Sequence, residues 1–134
     1  MYFSFGEEHG QLREAVRDFL AGKSPETEVR RLMETEDGYD PAVWRQMAAQ
    51  LGLQGLIIPE EHGGAGFGYV ELLVVLEEMG RALLCAPYFS TVALAANLLL
   101  ALGDKDANAG YLPRVADGSL TATVALAEAG GRWD

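Results

Sequence analysis

The stretch best suited to carry chemistry is a glycine-rich loop, Glu60–Gly68, in which two glutamates and a histidine precede closely spaced glycines. Backbone amides in such a loop can hold a phosphate, but the phosphate-binding pattern places a lysine after its last glycine, and Tyr69 stands there. The spacing also differs from the Gly-x-Gly-x-x-Gly pattern of dinucleotide sites, and no clear strand–helix–strand unit surrounds it. We therefore interpret the segment as a structural, hairpin-like loop.

Metal binding at the same loop would use Glu60, Glu61 and His62. A zinc site needs three or four ligands with supporting hydrogen bonds, and the only other histidine in the chain is His9. With no cysteine cluster to add ligands, we expect no metal site.

Covalent catalysis by the single cysteine, Cys85, is disfavoured by its apolar neighbours Leu84 and Ala86. Burial among such residues raises the pKa of a thiol and suppresses its reactivity, so Cys85 is interpreted as a small core residue. One cysteine allows no intrachain disulfide, and the chain opens without a basic and apolar signal segment. Both features suit a reducing compartment, and we expect a cytoplasmic location.

A few isolated polar residues remain as candidates. Asn97 interrupts an apolar helix and could contact a ligand, although such residues more often bond a nearby carbonyl. Ser90 and Thr91 either cap that helix or line a pocket at its start. Glu128 follows a predicted strand, where functional residues often lie, but one carboxylate without a partner is weak evidence for acid–base chemistry.

The elements that position these residues are predicted to be helices, because apolar residues recur at spacings of three and four. The predicted helices are Phe5–Ala21, a short helix opening at Ser24–Pro25, a third opening at Asp40–Pro41 and ending at Gly52, then Tyr69–Leu83, Ser90–Leu102 and Lys105–Ala116. Ser24, Asp40 and Asp104 are predicted N-caps, since their oxygens can accept from free amides. Glu77 and Arg81 are predicted to form an i, i+4 ion pair.

Two segments lack helical periodicity. Leu53–Pro59 is predicted to be an extended connector or a stray strand. Thr121–Ala127, rich in threonine and valine after an Asp-Gly turn, is predicted to be a strand. A lone strand leaves its backbone groups unpaired, so we expect further β structure that this sequence does not contain.

Composition excludes several classes of function. The 134 residues suit one domain, and a 49% hydrophobic content indicates a globular protein. A net charge of -10 disfavours nucleic acid as a partner and would also repel the phosphates of a coenzyme. Leu83–Leu102 is long enough to span a membrane, but Pro87 and Asn97 interrupt it, and we expect a buried core helix and no membrane partner.

Three stretches resemble the amino-terminal domain of the acyl-CoA dehydrogenase family. These are Gly52–Gly66, the helix after it with its Glu77-Glu78 pair followed by Gly80 and Arg81, and Tyr111–Ser119. The resemblance covers nearly the whole chain. It implies an all-α fold, an up-down helical bundle over residues 1–118, followed at 119–134 by the first strand of a truncated β domain.

The resemblance also implies an activity. The family uses FAD to introduce an α,β double bond into acyl-CoA thioesters, and its implied partners are the acyl-CoA substrate, an acceptor resembling electron-transfer flavoprotein, and homo- or hetero-oligomeric dehydrogenase subunits. In most branches the catalytic glutamate belongs to the last domain, which nothing here matches. We therefore assign no catalytic residue and expect the 134-residue chain alone to be inactive.

Cofactor and substrate residues follow from the same resemblance. Leu126, Ala127 and Glu128 match the strand end that approaches the flavin. Ala127 replaces the family's threonine there and Ala129 its proline, which resembles the degenerate flavin loop found in one subunit type of heteromeric dehydrogenases acting on steroid side chains. The start of the fifth helix lies beside the acyl chain in the family, so the candidate pocket residues are Tyr88, Phe89, Thr91, Val92 and Ala95.

Two other functions remain open at this point. The chain could be a non-catalytic partner subunit that completes another subunit's site, or a free-standing helical binding module.

Overall fold

A computed structural model describes residues 5–127 and 130–131. The predicted helical architecture is confirmed. The α-helices are α1 (Glu7–Lys23), α2 (Glu26–Met33), α3 (Pro41–Leu51), α4 (Tyr69–Arg81), α5 (Asn97–Leu102) and α6 (Lys105–Ala116). A π-helical segment, Phe89–Ala96, leads directly into α5, and 3₁₀ turns lie at Leu53–Gly55 and Glu60–His62. None of the helices in the described ranges is long and apolar enough to cross a membrane.

Two of the three predicted N-caps are confirmed. The Asp40 carboxylate accepts from the Ala42 amide at 2.7 Å, and Asp104 accepts from the amides of Asp106 and Ala107 at 3.0 Å. The predicted cap at Ser24 is wrong. That residue ends α1, and its hydroxyl donates to the Ala82 carbonyl at 3.1 Å, so the side chain ties α1 to the end of α4.

The two connecting segments differ from their predictions. Leu53–Pro59 is neither extended nor a strand: it coils through a 3₁₀ turn, and its apolar side chains enter the core. The glycine-rich loop folds back onto that turn, with the Ala65 amide donating to Gly55 and the Phe67 amide to Leu56, both at 2.9 Å. These bonds confirm the structural interpretation of the loop.

The core consists of two apolar clusters. The larger one joins α1, α3, α4 and the start of the π-helical segment, and includes Val16, Trp44, Val75 and Tyr88. The smaller one lies between the end of the π-helical segment and α6. The start of the π-helical segment therefore belongs to the larger cluster and its end to the smaller one.

Thr121–Ala127 has no β ladder and is not a strand in the described part of the chain, because no neighbouring strand pairs with it there. Its exposure nevertheless alternates as in a strand. Leu120, Ala122 and Val124 are half-buried, whereas the residues between them are exposed. The segment thus has the alternation expected of a strand without the ladder hydrogen bonds that define one.

Candidate functional site

An apolar cavity of about 350 Å³ lies between the end of α4 and the start of the π-helical segment. Its wall contains two residues predicted to contact substrate, Tyr88 and Phe89. The other lining residues are Leu76, Met79, Gly80, Leu83, Leu84 and Ala86. No charged side chain lines it, so the cavity suits a hydrocarbon group better than a polar one.

The two predicted residues in this wall differ in environment. Tyr88 is buried, and its hydroxyl donates to the Leu53 carbonyl at 2.8 Å, which fixes the ring against the core. Burial raises the pKa of the Tyr88 phenol, so this residue stays neutral. Phe89 is 58% exposed and is free to contact a ligand or a neighbouring subunit.

The other three predicted substrate residues are fully enclosed. Thr91 and Val92 are completely buried, and Ala95 is nearly so. None of them lines the 350 Å³ cavity. Val92 packs in the larger apolar cluster, while the Thr91 hydroxyl bonds to the backbone of Ala122. Neither Ser90 nor Thr91 caps the helix, so the capping alternative is wrong for both residues: Ser90 donates instead to the Pro87 carbonyl at 3.2 Å.

The residues predicted to approach a flavin lie at the end of the extended segment. Leu126 is 72% exposed and Ala127 is exposed as well, while Glu128 lies outside the described residues. An exposed leucine side chain can pack against an aromatic ring system. Backbone N–H and C=O groups beside it that have no partner can form hydrogen bonds with the polar edge of that ring system. Ala127 supplies only its backbone for this purpose, because its methyl group cannot donate a hydrogen bond.

Among the remaining polar candidates, Asn97 bonds to structural partners, whereas His62 does not bond to the neighbouring Glu61. The half-buried Asn97 donates from its amide group to the Ala93 carbonyl at 2.9 Å, and its oxygen accepts from the exposed Tyr69 hydroxyl at 3.0 Å. His62 Nε2 lies 3.7 Å from Glu61 Oε1, which is too long for a hydrogen bond. Within the described ranges no three potential metal ligands come together.

A charged cluster between α1 and α4 was missed by the sequence analysis. Glu78 is 1% exposed and binds three arginines: Arg17 at 2.7 and 2.9 Å, Arg81 at 2.9 Å and Arg13 at 3.0 Å. The predicted pair between Glu77 and Arg81 is wrong, since Arg81 turns to Glu78. The available signal was the position of Glu78 between the buried Val75 and Met79, where a carboxylate needs partners.

Hydrogen bonds from the arginines, Arg17 above all, lower the pKa of Glu78 to about 2 against the opposing effect of burial. At the other end of the same interface, Glu71 Oε2 accepts from the Gly68 amide and its Oε1 bonds to His9 Nε2, both at 2.9 Å. The α1–α4 interface is thus joined by ion pairs and hydrogen bonds along its length. This interface holds α1 against α4, whose last turn supplies part of the cavity wall.

Comparison with known proteins gives the family. The family model described as "Acyl-CoA dehydrogenase, N-terminal domain" matches residues 6–119. Acyl-CoA dehydrogenase IpdE2 of Mycolicibacterium smegmatis is 41% identical over 118 residues, which cover 88% of this chain and 36% of that protein. Acyl-CoA dehydrogenase FadE12 of Mycobacterium tuberculosis is 35% identical over 129 residues, covering 94% and 32%.

Solved structures agree in fold. A variant of the Tcur3481–Tcur3483 steroid ACAD superposes with a TM-score of 0.81 at 36% identity, covering 95% of this chain and 34% of that one. The ChsE4–ChsE5 complex from Mycobacterium tuberculosis gives 0.84 at 30% identity, covering 97% and 36%. The chain spans about a third of the length of the curated relatives it matches.

Proposed function

The chain belongs to the acyl-CoA dehydrogenase family, whose amino-terminal domain it forms, and from this premise we propose that it works in the flavin-dependent α,β-dehydrogenation of an acyl-CoA thioester. The observation that carries the proposal is the match of the amino-terminal domain model to residues 6–119. On this proposal the helical bundle is residues 1–118, and residues 119–134 open the family's middle β domain. The protein acts in the cytoplasm.

In the proposed mechanism this chain binds and orients the acyl group and excludes water from it. The apolar cavity beside Tyr88 and Phe89 receives hydrocarbon, whereas Thr91, Val92 and Ala95, also proposed as substrate residues, are buried and do not line it. The uncharged wall favours contact with the hydrocarbon part of the acyl group over contact with water. The catalytic base belongs to another part of the family's fold.

FAD fits the end of the extended segment in part. Leu126 offers an exposed apolar surface and Ala127 an open backbone, with Glu128 proposed beside them. FAD supplies the hydride acceptor of the reaction. The chain's own contribution is to hold one edge of the flavin through backbone groups, without the hydroxyl that the family's usual threonine provides.

That missing hydroxyl favours a second candidate, a partner subunit in a heteromeric dehydrogenase whose flavin is held chiefly by another chain. The solved ChsE4–ChsE5 complex and the Tcur3481–Tcur3483 steroid ACAD are both two-component assemblies by their names. Their similarity to this chain also makes a steroid acyl-CoA a sensible substrate to test beside a fatty one. The proposed electron acceptor is a protein resembling electron-transfer flavoprotein.

The test is to tag the protein in its source cells, purify it with whatever remains bound, and record the intact masses and the visible absorption spectrum. Dehydrogenation of fatty and steroid acyl-CoA thioesters is then measured with an artificial electron acceptor. One FAD per copy of this chain supports the first candidate, and one FAD per pair of different subunits supports the second. A pure chain without flavin or acyl-CoA oxidation in any fraction would contradict both and favour the free-standing binding module.

A further inference from the structure

Thr91 makes an unusual pair of contacts with a residue far along the chain. Its side chain is completely buried at the start of the π-helical segment. Its hydroxyl donates to the carbonyl of Ala122 at 3.2 Å and accepts from the amide of the same residue at 3.1 Å. One side chain thus satisfies both backbone groups of a residue in the extended segment, which has no other backbone partner at that position in residues 5–127.

This arrangement reproduces a β-ladder contact. In an antiparallel ladder, a hydrogen-bonded residue exchanges both an N–H···O and an O···H–N bond with the residue opposite it. A threonine hydroxyl is one donor and an acceptor at once, so it can take the position of that opposite residue. The helical side chain therefore occupies one edge of the segment at Ala122.

The other edge stays open. In an extended chain successive residues direct their backbone groups to opposite edges, so those of Thr121 and Thr123 face away from Thr91. Within the described residues neither has a backbone hydrogen-bond partner. If the extended segment shifted by one residue along its axis, Thr121 or Thr123 would lie against Thr91 and the open edge would be reversed. The half-buried side chains of Ala122 and Val124 would then turn outward.

We propose that Thr91 is a positioning residue whose hydroxyl fixes the register of segment 121–126, and thereby sets which edge accepts the next strand and where Leu126 and Ala127 meet the flavin. The parts of this inference that concern the next strand and the flavin rest on the proposed function, whereas the register follows from the contacts of Thr91. Thr91 supports the site through the backbone of Ala122 and does not itself act on substrate.

The test of the register compares Thr91→Val, which keeps the shape and removes the hydroxyl, with Thr91→Ser, which keeps the hydroxyl. Amide hydrogen exchange is followed by NMR on the purified full chain. We expect the Ala122 amide to exchange about tenfold faster in Thr91→Val, as for the loss of one hydrogen bond, and near the original rate in Thr91→Ser. The Leu120 amide, bonded to the Arg114 carbonyl at 2.9 Å, is the internal control and should not change.

An unchanged Ala122 rate in Thr91→Val would overturn the proposal. So would equal acceleration at Leu120 and Ala122, because the hydroxyl would then only stabilise packing. If Thr91→Val does not fold, Thr91→Ser decides: a rate for Ala122 well above the original overturns the proposal, and a preserved rate supports it.

The consequence for the flavin is measured on the purified native assembly by titrating FAD into the flavin-stripped protein and following the visible spectrum. We expect about tenfold weaker FAD binding and a shifted flavin band in Thr91→Val, with both restored in Thr91→Ser. An assembly that binds FAD equally well with valine would contradict the flavin part. Failure of the unsubstituted assembly to bind FAD would contradict the proposed function and leave the amide exchange result standing.

Discussion

Glu78 is the residue on which the α1–α4 interface depends most. It is almost completely buried, and three arginines from both helices converge on its two oxygens. The arginines are partly exposed, so water can replace part of the hydrogen bonding that they would lose without the Glu78 carboxylate. The buried Glu78 carboxylate cannot be hydrated in the same way, because it is surrounded by protein atoms.

We therefore expect Glu78→Gln to lower the free energy of unfolding by roughly 2–3 kcal/mol, since the amide cannot balance three guanidinium groups. Urea denaturation followed by circular dichroism measures the change. The matched control is Glu77→Gln, whose carboxylate is mostly exposed and pairs with Arg13 at 2.8 Å. That substitution should cost about 0.5 kcal/mol or less. Equal losses in the two variants would contradict the special position of Glu78.

The same residue predicts how stability depends on pH. Its pKa falls from the usual 4.5 to about 2 in the folded chain, chiefly through the hydrogen bonds from Arg17. A carboxylate with a lowered folded pKa contributes fully above its unfolded pKa and loses that contribution as the pH falls through the folded value. The free energy of unfolding should therefore decrease from about pH 5 down to about pH 2, and this slope should be shallower in Glu78→Gln. Parallel pH profiles for the two proteins would refute the assignment.

Residue-scale prediction succeeded where a contact is local in sequence and failed where it is not. Asp40 and Asp104 bond amides two or three residues ahead, so their caps could be read from residue type and position. Thr91 and Glu78 bond residues 31 and up to 65 positions away. Nothing in their immediate neighbours identifies those partners, although a carboxylate among buried residues shows that some partner must exist.

Among the connecting elements, the glycine-rich loop depends on one close backbone approach. A Cβ atom on Gly64 would lie 1.9 Å from the Ile58 carbonyl oxygen and 2.6 Å from that of Gly55. Both obstacles are backbone atoms of segment 53–59, so neither can move without displacing buried Leu56 and Ile58. The absence of a Cβ atom at Gly64 therefore allows the glycine-rich loop to pack closely against segment 53–59.

Gly64→Ala should therefore destabilise the chain strongly, by about 3 kcal/mol or more in the thermal or urea unfolding transition. The control is Gly80→Ala, in the exposed face of α4, where an added Cβ meets nothing within 4 Å. Alanine favours a helix over glycine by roughly 0.5–1 kcal/mol, so this variant should be more stable than the original. If Gly64→Ala were as stable as the original chain, the close approach of loop and turn would be wrong.

At the same scale, the Asp104 cap should stabilise α6. Asp104→Ala removes the acceptor for the Asp106 and Ala107 amides and should cost about 1 kcal/mol of unfolding free energy. Asp104→Asn keeps an oxygen in the same place and should stay within about 0.5 kcal/mol of the original. Calorimetry of the three proteins gives the comparison, and an asparagine variant as unstable as the alanine one would show that charge, not capping, matters there.

Helices with clear end signals were predicted within a residue or two, and other elements were not. α3 begins at the predicted proline and ends at Gly52 with a left-handed backbone, φ 61°, and α6 matches its predicted bounds. The π-helical segment was predicted as part of one α-helix because its apolar residues satisfy both geometries. Leu53–Pro59 was misread because a short apolar run before a proline does not distinguish a strand from a buried turn.

For the whole molecule, the family resemblance led to the correct all-α fold, whereas composition and periodicity alone gave only a helical, acidic globular protein. The apolar cavity could be located in part, since two of the five predicted pocket residues line it, and its use for an acyl group stays a prediction. The part of the cavity wall that comes from the end of α4 could not be predicted, because the residues that meet there depend on how α4 crosses the π-helical segment. That crossing is set by the long-range packing of the larger core cluster.

An uncharged face is the feature of the whole molecule that bears most on assembly. From Ala82 to Gly103 the chain contains no charged residue, and Leu94, Leu98 and Leu102 are exposed along one side of the π-helical segment and α5. Exposed apolar residues at a spacing of four are typical of a surface that another element covers. In the proposed dehydrogenase, the rest of the family's fold covers it, either in the same polypeptide or in a partner subunit.

Leu98→Asp should therefore weaken assembly while leaving the bundle folded, because Leu98 is 43% exposed and makes only part of its contacts within the chain. Size-exclusion chromatography with light scattering on the purified native assembly measures association, and circular dichroism checks the fold of the chain. Met33→Asp, at a 73% exposed site on α2, is the matched control and should assemble normally. A native assembly that tolerates aspartate at Leu98 as well as at Met33 would show that the uncharged face remains open to solvent, which would contradict its role in assembly.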